Sequence, residues 1–398
     1  MKSQEELKAD IYAEVRERLD LSREMEDGEL WDLIYRIIAE KSEEQYMSIR
    51  QRETLAGEIF ASLRKLDILQ ELLDDDEITE IMVNGPEDIF IEKRGILQKT
   101  DKKFQSAEKL EDVIQQIVAS CNRTVNESSP IVDGRISDGS RVNVVLKPPA
   151  LNGPIVTIRR FPETAITMED YIAFGSITPQ AAVFLQKAVE YGYNIFISGG
   201  TGSGKTTLLN ILSGYIPSGQ RIITIEDSAE LQIKGVKNLV RLETRNATRE
   251  GCEAISIRDL IKTSLRMRPD RIIVGEVRGA EAFDMLQVFN TGHEGSLSTA
   301  HANSASDMLM RLEMMVLMAK DLPLSAIRRQ IASGIDLLIH LGRMRDGSRK
   351  VMEILEIKGI IGEEIALNPL FVLEEGEKGK TSLVPVNSLQ NKEKWIEG

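Results

Sequence analysis

Apolar residues recur every three or four positions through the first stretch of the chain: Leu7, Ile11, Val15 and Leu19, then Leu30-Trp31, Leu33-Ile34 and Ile37-Ile38, each set among charged neighbours. That period predicts helices. With Ile49, Leu55, Ile59-Phe60 and Leu63 on a third helix, residues 1–72 read as a solvated helical bundle with no chemistry of its own. The period changes after Asp74-Asp75-Asp76-Glu77. Ile78-Thr79-Glu80-Ile81-Met82-Val83 alternates, Asn84-Gly85-Pro86 punctuates, and Ile89-Phe90-Ile91 enters a turn at Lys93-Arg94-Gly95. A helix from Ala107 to Ser120 and strands at Val142–Leu146 and Ile155–Ile158 complete a mixed α/β domain over residues 73–162. Phe161 to Pro179 has no sustained period, so residues 163–178 read as a linker. A third domain spans 179–360, opening with a helix from Ala181 to Tyr191. Residues 361–398 read as a C-terminal tail, either a peripheral hairpin or a partly disordered segment, with an exposed turn at Gly376-Glu377-Lys378-Gly379-Lys380.

The third domain carries the clearest chemistry. The apolar run Ile195-Phe196-Ile197 feeds Gly199-Gly200-Thr201-Gly202-Ser203-Gly204-Lys205-Thr206, and the helix-like Thr207-Leu208-Leu209 follows at once. This is G-x-x-x-x-G-K-[ST] between a strand and a helix. Glycines let successive backbone N–H groups point at phosphate oxygens, and the helix N-terminus adds its positive dipole end. Lys205 reaches the β- and γ-phosphates, and Thr206 holds Mg²⁺. ATP and Mg²⁺ are the expected ligands, with residues 199–207 as the binding loop.

Two later apolar runs end in acids. Arg221-Ile222-Ile223-Thr224-Ile225 leads to Glu226-Asp227, and Arg271-Ile272-Ile273-Val274-Gly275 leads to Glu276. In a parallel α/β sheet those strand ends face the ligand, which sets Glu226 and Glu276 beside Thr206 and the metal, with Glu276 free to activate water. Gly275 stands where such a strand often has aspartate. His293 and His301 lie in the small-residue stretch Thr291 to Asn303. His301 suits a γ-phosphate donor or sensor, while the absence of H-E-x-x-H and of a cysteine partner argues against a zinc site at His293, Glu294 and His301. His340, in the apolar run Leu337 to Leu341, reads as a hydrogen-bonded core histidine. Arg135, Arg141, Arg159 and Arg160, outside the third domain, are candidate arginine fingers, or else surface arginines held in salt bridges.

Composition narrows the picture. The chain has 398 residues, 42% hydrophobic and 28% charged, enough for several buried cores. No run approaches the roughly 20 apolar residues a transmembrane helix needs, and no secretory signal precedes Leu7, so a cytoplasmic location is expected. Cys121 and Cys252 are the only cysteines and make no C-x-x-C pair. A net charge of −13 and 5% aromatics argue against nucleic acid as a partner. A nucleic-acid translocase and an ATP-sensing switch remain the competing function classes.

Taken together, the motifs resemble the secretion ATPase superfamily of type II and type IV systems, and within it the CpaF type that drives tight-adherence (Flp/Tad) pili. The resemblance runs from about Asp74 to Lys358. It is carried by Thr79 to Pro86, Asp138 to Asn143, the phosphate loop, the Glu226 "Asp box", Arg266 to Gly279, and the "His box" from Gly292 to Ala302. It implies an α/β chain with a RecA-like ATPase domain, preceded by a small PAS-like or sensor-like α/β domain and the helical bundle. It further implies a homo-hexamer with ATP at subunit interfaces, Glu276 as catalytic acid, and phosphate-directed arginines at Arg141, Arg159 and Arg160. His293 and His301 become His-box residues. The implied partner is a polytopic inner-membrane platform protein that moves pilin, with the ATPase peripheral to the inner face of the membrane. The tetracysteine zinc insertion of many pilus extension ATPases is missing, as expected of the CpaF branch.

Overall fold

The structure is a computed structural model that describes all residues except 1–9, 13, 16–17, 19–26, 45–46, 65, 94, 122, 137, 161–165, 246–252, 376–380 and 397–398. The chain separates into two compact units, Met1–Glu163 and Thr164–Gly398.

The first unit contains two cores. In the helical part, α1 (Asp27–Glu44) packs on α2 (Ile49–Arg64), and Ile34, Ile37, Ile38, Leu55 and Ile59 are buried together with Ile11 and Val15. Trp31 stacks on Phe60 with ring centroids 4.4 Å apart. Ile49, read as part of the apolar stripe, is 77% exposed because it opens α2 beyond its packed turns. Leu7 and Leu19 lie outside the described residues, as does the turn 376–380. The short α3 (Ile68–Leu73) does not join the helical part. Its Leu69, Leu72 and Leu73 pack in the core of the following sheet, which moves the expected boundary at 72 toward the N-terminus.

That sheet is antiparallel, in the order β3 (Ile96–Lys99), β2 (Ile89–Lys93), β1 (Ile78–Asn84), β6 (Ile155–Arg159), β5 (Arg141–Val145), β4 (Ile131–Arg135). Alternation decides its faces. Ile81, Val83, Val142, Val144, Val156 and Ile158 turn inward onto α4 (Ala107–Ser120), whose Leu110, Val113, Ile114, Ile117 and Val118 form the facing stripe. Ser106 caps α4 by accepting the N–H of Lys109. The opposite face carries Arg135, Arg141, Arg159 and Glu80 as successive cross-strand neighbours.

The second unit is built on nine strands in the order β15 (Thr381–Pro385), β14 (Glu364–Glu375), β13 (Arg349–Ile361), β12 (Leu337–Arg343), β7 (Ile195–Gly199), β11 (Leu297–His301), β10 (Arg271–Val274), β8 (Arg221–Glu226), β9 (Asn238–Glu243). From β12 to β9 the strands are parallel, and helices cover both faces. Ile195, Ile197, Ile222 and Ile273 lie in one core with α5 (Met168–Ala173), α6 (Pro179–Glu190) and α7 (Lys205–Ser213). Phe196, Ile223, Ile225 and Val274 lie in the other with α8 (Ile257–Ser264), α9 (Glu281–Asn290), α10 (Ala305–Ala319) and α11 (Leu324–Gly334). Burial on two faces is why these strands read as unbroken apolar runs.

Two expected boundaries change. The segment 163–178 contains α5, held by a capping box between Thr167 and Asp170, and its Met168 and Tyr171 are core residues of the second unit. Residues past 360 are not a tail: β14 pairs along β13 and β15 along β14, and Leu370, Phe371 and Leu383 are buried. Among the described residues no helix is long and apolar enough to cross a membrane.

Candidate functional site

β7 is fully buried and delivers the chain to the phosphate loop between its neighbours β11 and β12. Gly202 and Gly204 have φ of +69° and +95°, a region that side chains other than glycine resist. A Cβ on Gly199 would lie 2.6 Å from both the Leu341 carbonyl oxygen and Ser203 Oγ, so that position admits no side chain. Gly204 is the N-cap of α7, and no side chain caps the helix. The first-turn N–H groups are therefore left to an anion. Ser203 Oγ is buried without a hydrogen-bond partner. Uncapped amides, left-handed glycines and an unsatisfied hydroxyl fit a polyphosphate.

Lys205 is buried, and its ammonium donates to the carbonyls of Gly199 (3.0 Å) and Gly200 (2.9 Å) and to Nδ1 of His301 (3.1 Å). Burial lowers its pKa, and the nearby Glu276 carboxylate opposes that shift. His301 ends β11 directly opposite Gly199 in register. Because Nδ1 accepts from Lys205, the ring proton sits on Nε2, which lies 2.8 Å from Glu276 Oε1, although Oε1 gains no aligned hydrogen bond. Burial and the Lys205 charge depress the His301 pKa, so the imidazole is neutral near pH 7. Glu276 Oε2 in turn accepts from Arg278 (2.9 Å), and Arg278 lies 3.6 Å from Asp227 Oδ2. One polar chain thus runs from Lys205 through His301, Glu276 and Arg278 to Asp227, across the ends of β7, β11, β10 and β8.

Glu226 stands beside this chain. It is 3% exposed, its Oε1 accepts the N–H groups of Glu230 (2.8 Å) and Leu231 (2.9 Å), and its Oε2 has no partner. Burial pushes its pKa up to about 7 against those two hydrogen bonds. A Cβ on Gly275 would come within 3.0 Å of Glu226 Cγ. A side chain at 275 would crowd Glu226, which the glycine there avoids. Thr206 is half-buried in the first turn of α7.

Not every expected residue is brought here. His293 precedes β11, where Ser296 Oγ donates to the His293 carbonyl and Asn194, just before β7, binds the N–H groups of Gly295 and Ser296. That is the opposite end of β11 from His301, so within one chain His293 is not part of the phosphate site and shares no ion with His301. His340 is buried with Nδ1 2.9 Å from Ser198 Oγ. Arg160 is taken up structurally: its guanidinium donates to the carbonyls of Asp75 and Ile78 and lies 3.3 Å from Asp76. Arg141 and Arg159 are more exposed and lie 3.8 Å from Asp133 and 3.7 Å from Glu80. Arg278 was overlooked as a site residue even though it follows Glu276 by two positions. Its signal was the strand-end location itself, where any long side chain reaches the neighbouring strand tip.

The type II/IV secretion system protein family model matches residues 62–384. A putative conjugal transfer protein of Mycobacterium tuberculosis is 33% identical over 314 residues, covering 76% of this chain and 89% of its own length. The type IV secretion system protein PtlH of Bordetella pertussis is 32% identical over 315 residues, covering 73% and 93%. Among solved structures, the pilus retraction motor PilT with bound ADP superposes with a TM-score of 0.54 at 20% identity, covering 81% of this chain and 83% of PilT, a likeness of fold.

Proposed function

This chain belongs to the type II/IV secretion system protein family, and on that premise we propose that it is a hexameric ATPase motor of the CpaF type that drives assembly or retraction of a tight-adherence pilus. The observation that carries the enzymatic part is the continuous contact from Lys205 to Glu276 through His301 beside an uncapped helix N-terminus. The same charges that contact one another here are those a γ-phosphate and its attacking water require. Lys205 would exchange the Gly199 and Gly200 carbonyls for β- and γ-phosphate oxygens. His301, neutral and protonated on Nε2, would follow the loss of that lysine contact and so register the nucleotide. Glu276, released from His301, would orient and deprotonate water. Mg²⁺ held at Thr206, with Glu226 and Glu276 nearby, would neutralise charge on the phosphate oxygens.

Arg141 and Arg159, exposed on the open face of the first sheet, suit a role as donors to a phosphate held by another protomer, while Arg160 does not. The pilus assignment rests on the motif set and the missing tetracysteine insertion. The conjugal transfer and secretion names of the relatives support a sister reading in which the same motor serves a type IV secretion machine. In either case the partner is a membrane-embedded platform protein, and the location is the cytoplasmic face of the membrane.

Phosphate release from Mg²⁺-ATP tests the enzymatic reading. Glu276→Gln is expected to slow turnover about 100-fold or more with nucleotide binding intact, whereas Lys205→Ala removes binding as well. Unchanged turnover in both variants would contradict it. Loss of tight-adherence pili on deleting the gene would support the pilus assignment, and loss of conjugal transfer with pili intact would favour the sister reading.

A further inference from the structure

Tyr171 is 3% exposed and its hydroxyl has no hydrogen-bond partner. A phenol in that state destabilises a fold relative to phenylalanine, because the hydroxyl has lost water and gained nothing. Its place is closely determined. The Thr167–Asp170 capping box starts α5, Tyr171 packs in the core, and Ser176 N–H donates to the Tyr171 carbonyl. Val351 N–H then donates to the Ser176 carbonyl, which brings the start of β13, and with it Arg349, beside the ring.

What the hydroxyl faces is the phosphate loop. A Cβ on Gly204 would meet the Tyr171 hydroxyl and Arg349 Cδ, each at 3.6 Å. The room that glycine leaves open at φ +95° is therefore walled by a phenol and by the stem of an exposed guanidinium. Burial raises the phenol's pKa and the Arg349 charge opposes this, so the phenol is neutral and able to donate. Lys205, His301 and Glu276 contact one another at the strand ends, where the γ-phosphate is expected. The flank at Gly204 is left to the inner phosphates.

We propose that Tyr171 and Arg349 make a second set of nucleotide contacts, the phenol donating to, and the guanidinium pairing with, α- or β-phosphate oxygens on the Gly204 side of the loop. This deepens the nucleotide-binding reading above and rests on it. It also explains why an unsatisfied hydroxyl is kept in a core where phenylalanine would pack as well: the partner arrives with the nucleotide. The contact joins the loop to α5, the first helix after the segment that connects the two units.

The test uses the full chain with Tyr171→Phe and, separately, Arg349→Gln. Thermal unfolding is measured without nucleotide, and equilibrium titrations are made with Mg²⁺-ADP and with a non-hydrolysable ATP analogue. Tyr171→Phe is expected to unfold at the same or a higher temperature and to bind both nucleotides about tenfold more weakly, the value of one charge-assisted hydrogen bond. Arg349→Gln is expected to weaken both as well. The loss should be equal for the two nucleotides, since the contacts lie in the diphosphate they share. Unchanged affinity, a loss confined to the triphosphate analogue, or a loss that comes only with lowered thermal stability would overturn the proposal. If the wild-type chain binds neither nucleotide, the parent reading fails and this inference with it.

Discussion

The strand ends of the C-terminal unit and the open sheet face of the N-terminal unit both concentrate charge, yet they use it in opposite ways. At the strand ends polar groups contact one another in series: Lys205 meets His301, His301 meets Glu276, Glu276 meets Arg278, and Arg278 approaches Asp227. On the sheet face Arg135, Arg141 and Arg159 stand side by side across three strands, a like-charge row that costs stability. Arg141 and Arg159 reach only distant carboxylates. A self-paired cluster holds its charge among its own members, whereas Arg141 and Arg159, with one carboxylate each at 3.8 and 3.7 Å, keep guanidinium surface toward solvent. The difference makes the guanidinium row, rather than the strand-end cluster, the feature to test as a donor to a nucleotide held by another protomer.

The largest effect should come from separating the arginines. Arg141→Ala combined with Arg159→Ala is expected to lower turnover about 100-fold or more while the unfolding temperature holds or rises, because the row loses repulsion. Turnover within a few-fold of wild type would remove both from the site. Arg160→Ala should do the reverse. It leaves the carbonyls of Asp75 and Ile78 without their donor and should destabilise the first unit by on the order of 1–2 kcal/mol, with turnover changing only as far as folding does. Calorimetry and turnover measured on the double variant and on Arg160→Ala check the contrast.

A smaller effect belongs to Glu226. An acid whose pKa is raised in the folded state binds more protons folded than unfolded. Its contribution to stability is therefore full below its unfolded value and is lost as pH rises through about 7. Glu226→Gln, which keeps an oxygen for the Glu230 and Leu231 N–H groups, should unfold at higher temperature than wild type at pH 8, by something on the order of 1–2 kcal/mol, and the gain should vanish toward pH 5. A pH-independent difference would show that Glu226 stays ionised in the fold.

How much of this was legible in the residues depended on what each element packs against. β7, β8 and β10 are buried on both faces, so their sequences carry apolar runs that lead into glycine or acid, and Lys205, Glu226 and Glu276 follow them closely in sequence. β11, Leu297-Ser298-Thr299-Ala300-His301, is broken by polar residues and does not announce a strand. α5 was missed because six residues are too short for a helical period to show; only the Thr167–Asp170 pair marked it. β14 and β15 read as a tail because Gly359 and Gly362 interrupt the pattern before them, although both strands continue a sheet whose register only tertiary pairing sets. Arg159 and Arg160 look equivalent in sequence, but adjacent residues leaving a strand turn to opposite sides, and one meets solvent while the other meets backbone carbonyls. His293 shares a motif with His301, yet a strand's length lies between them.

The central claim is that one protomer holds the nucleotide and another completes the charge around it. Specific ATPase activity measured against protein concentration, with molar mass followed by light scattering on the same samples, tests this most directly. Activity per chain is expected to rise with assembly and to fall toward zero in dilute, monomeric samples. Full specific activity in a monodisperse monomer would contradict it.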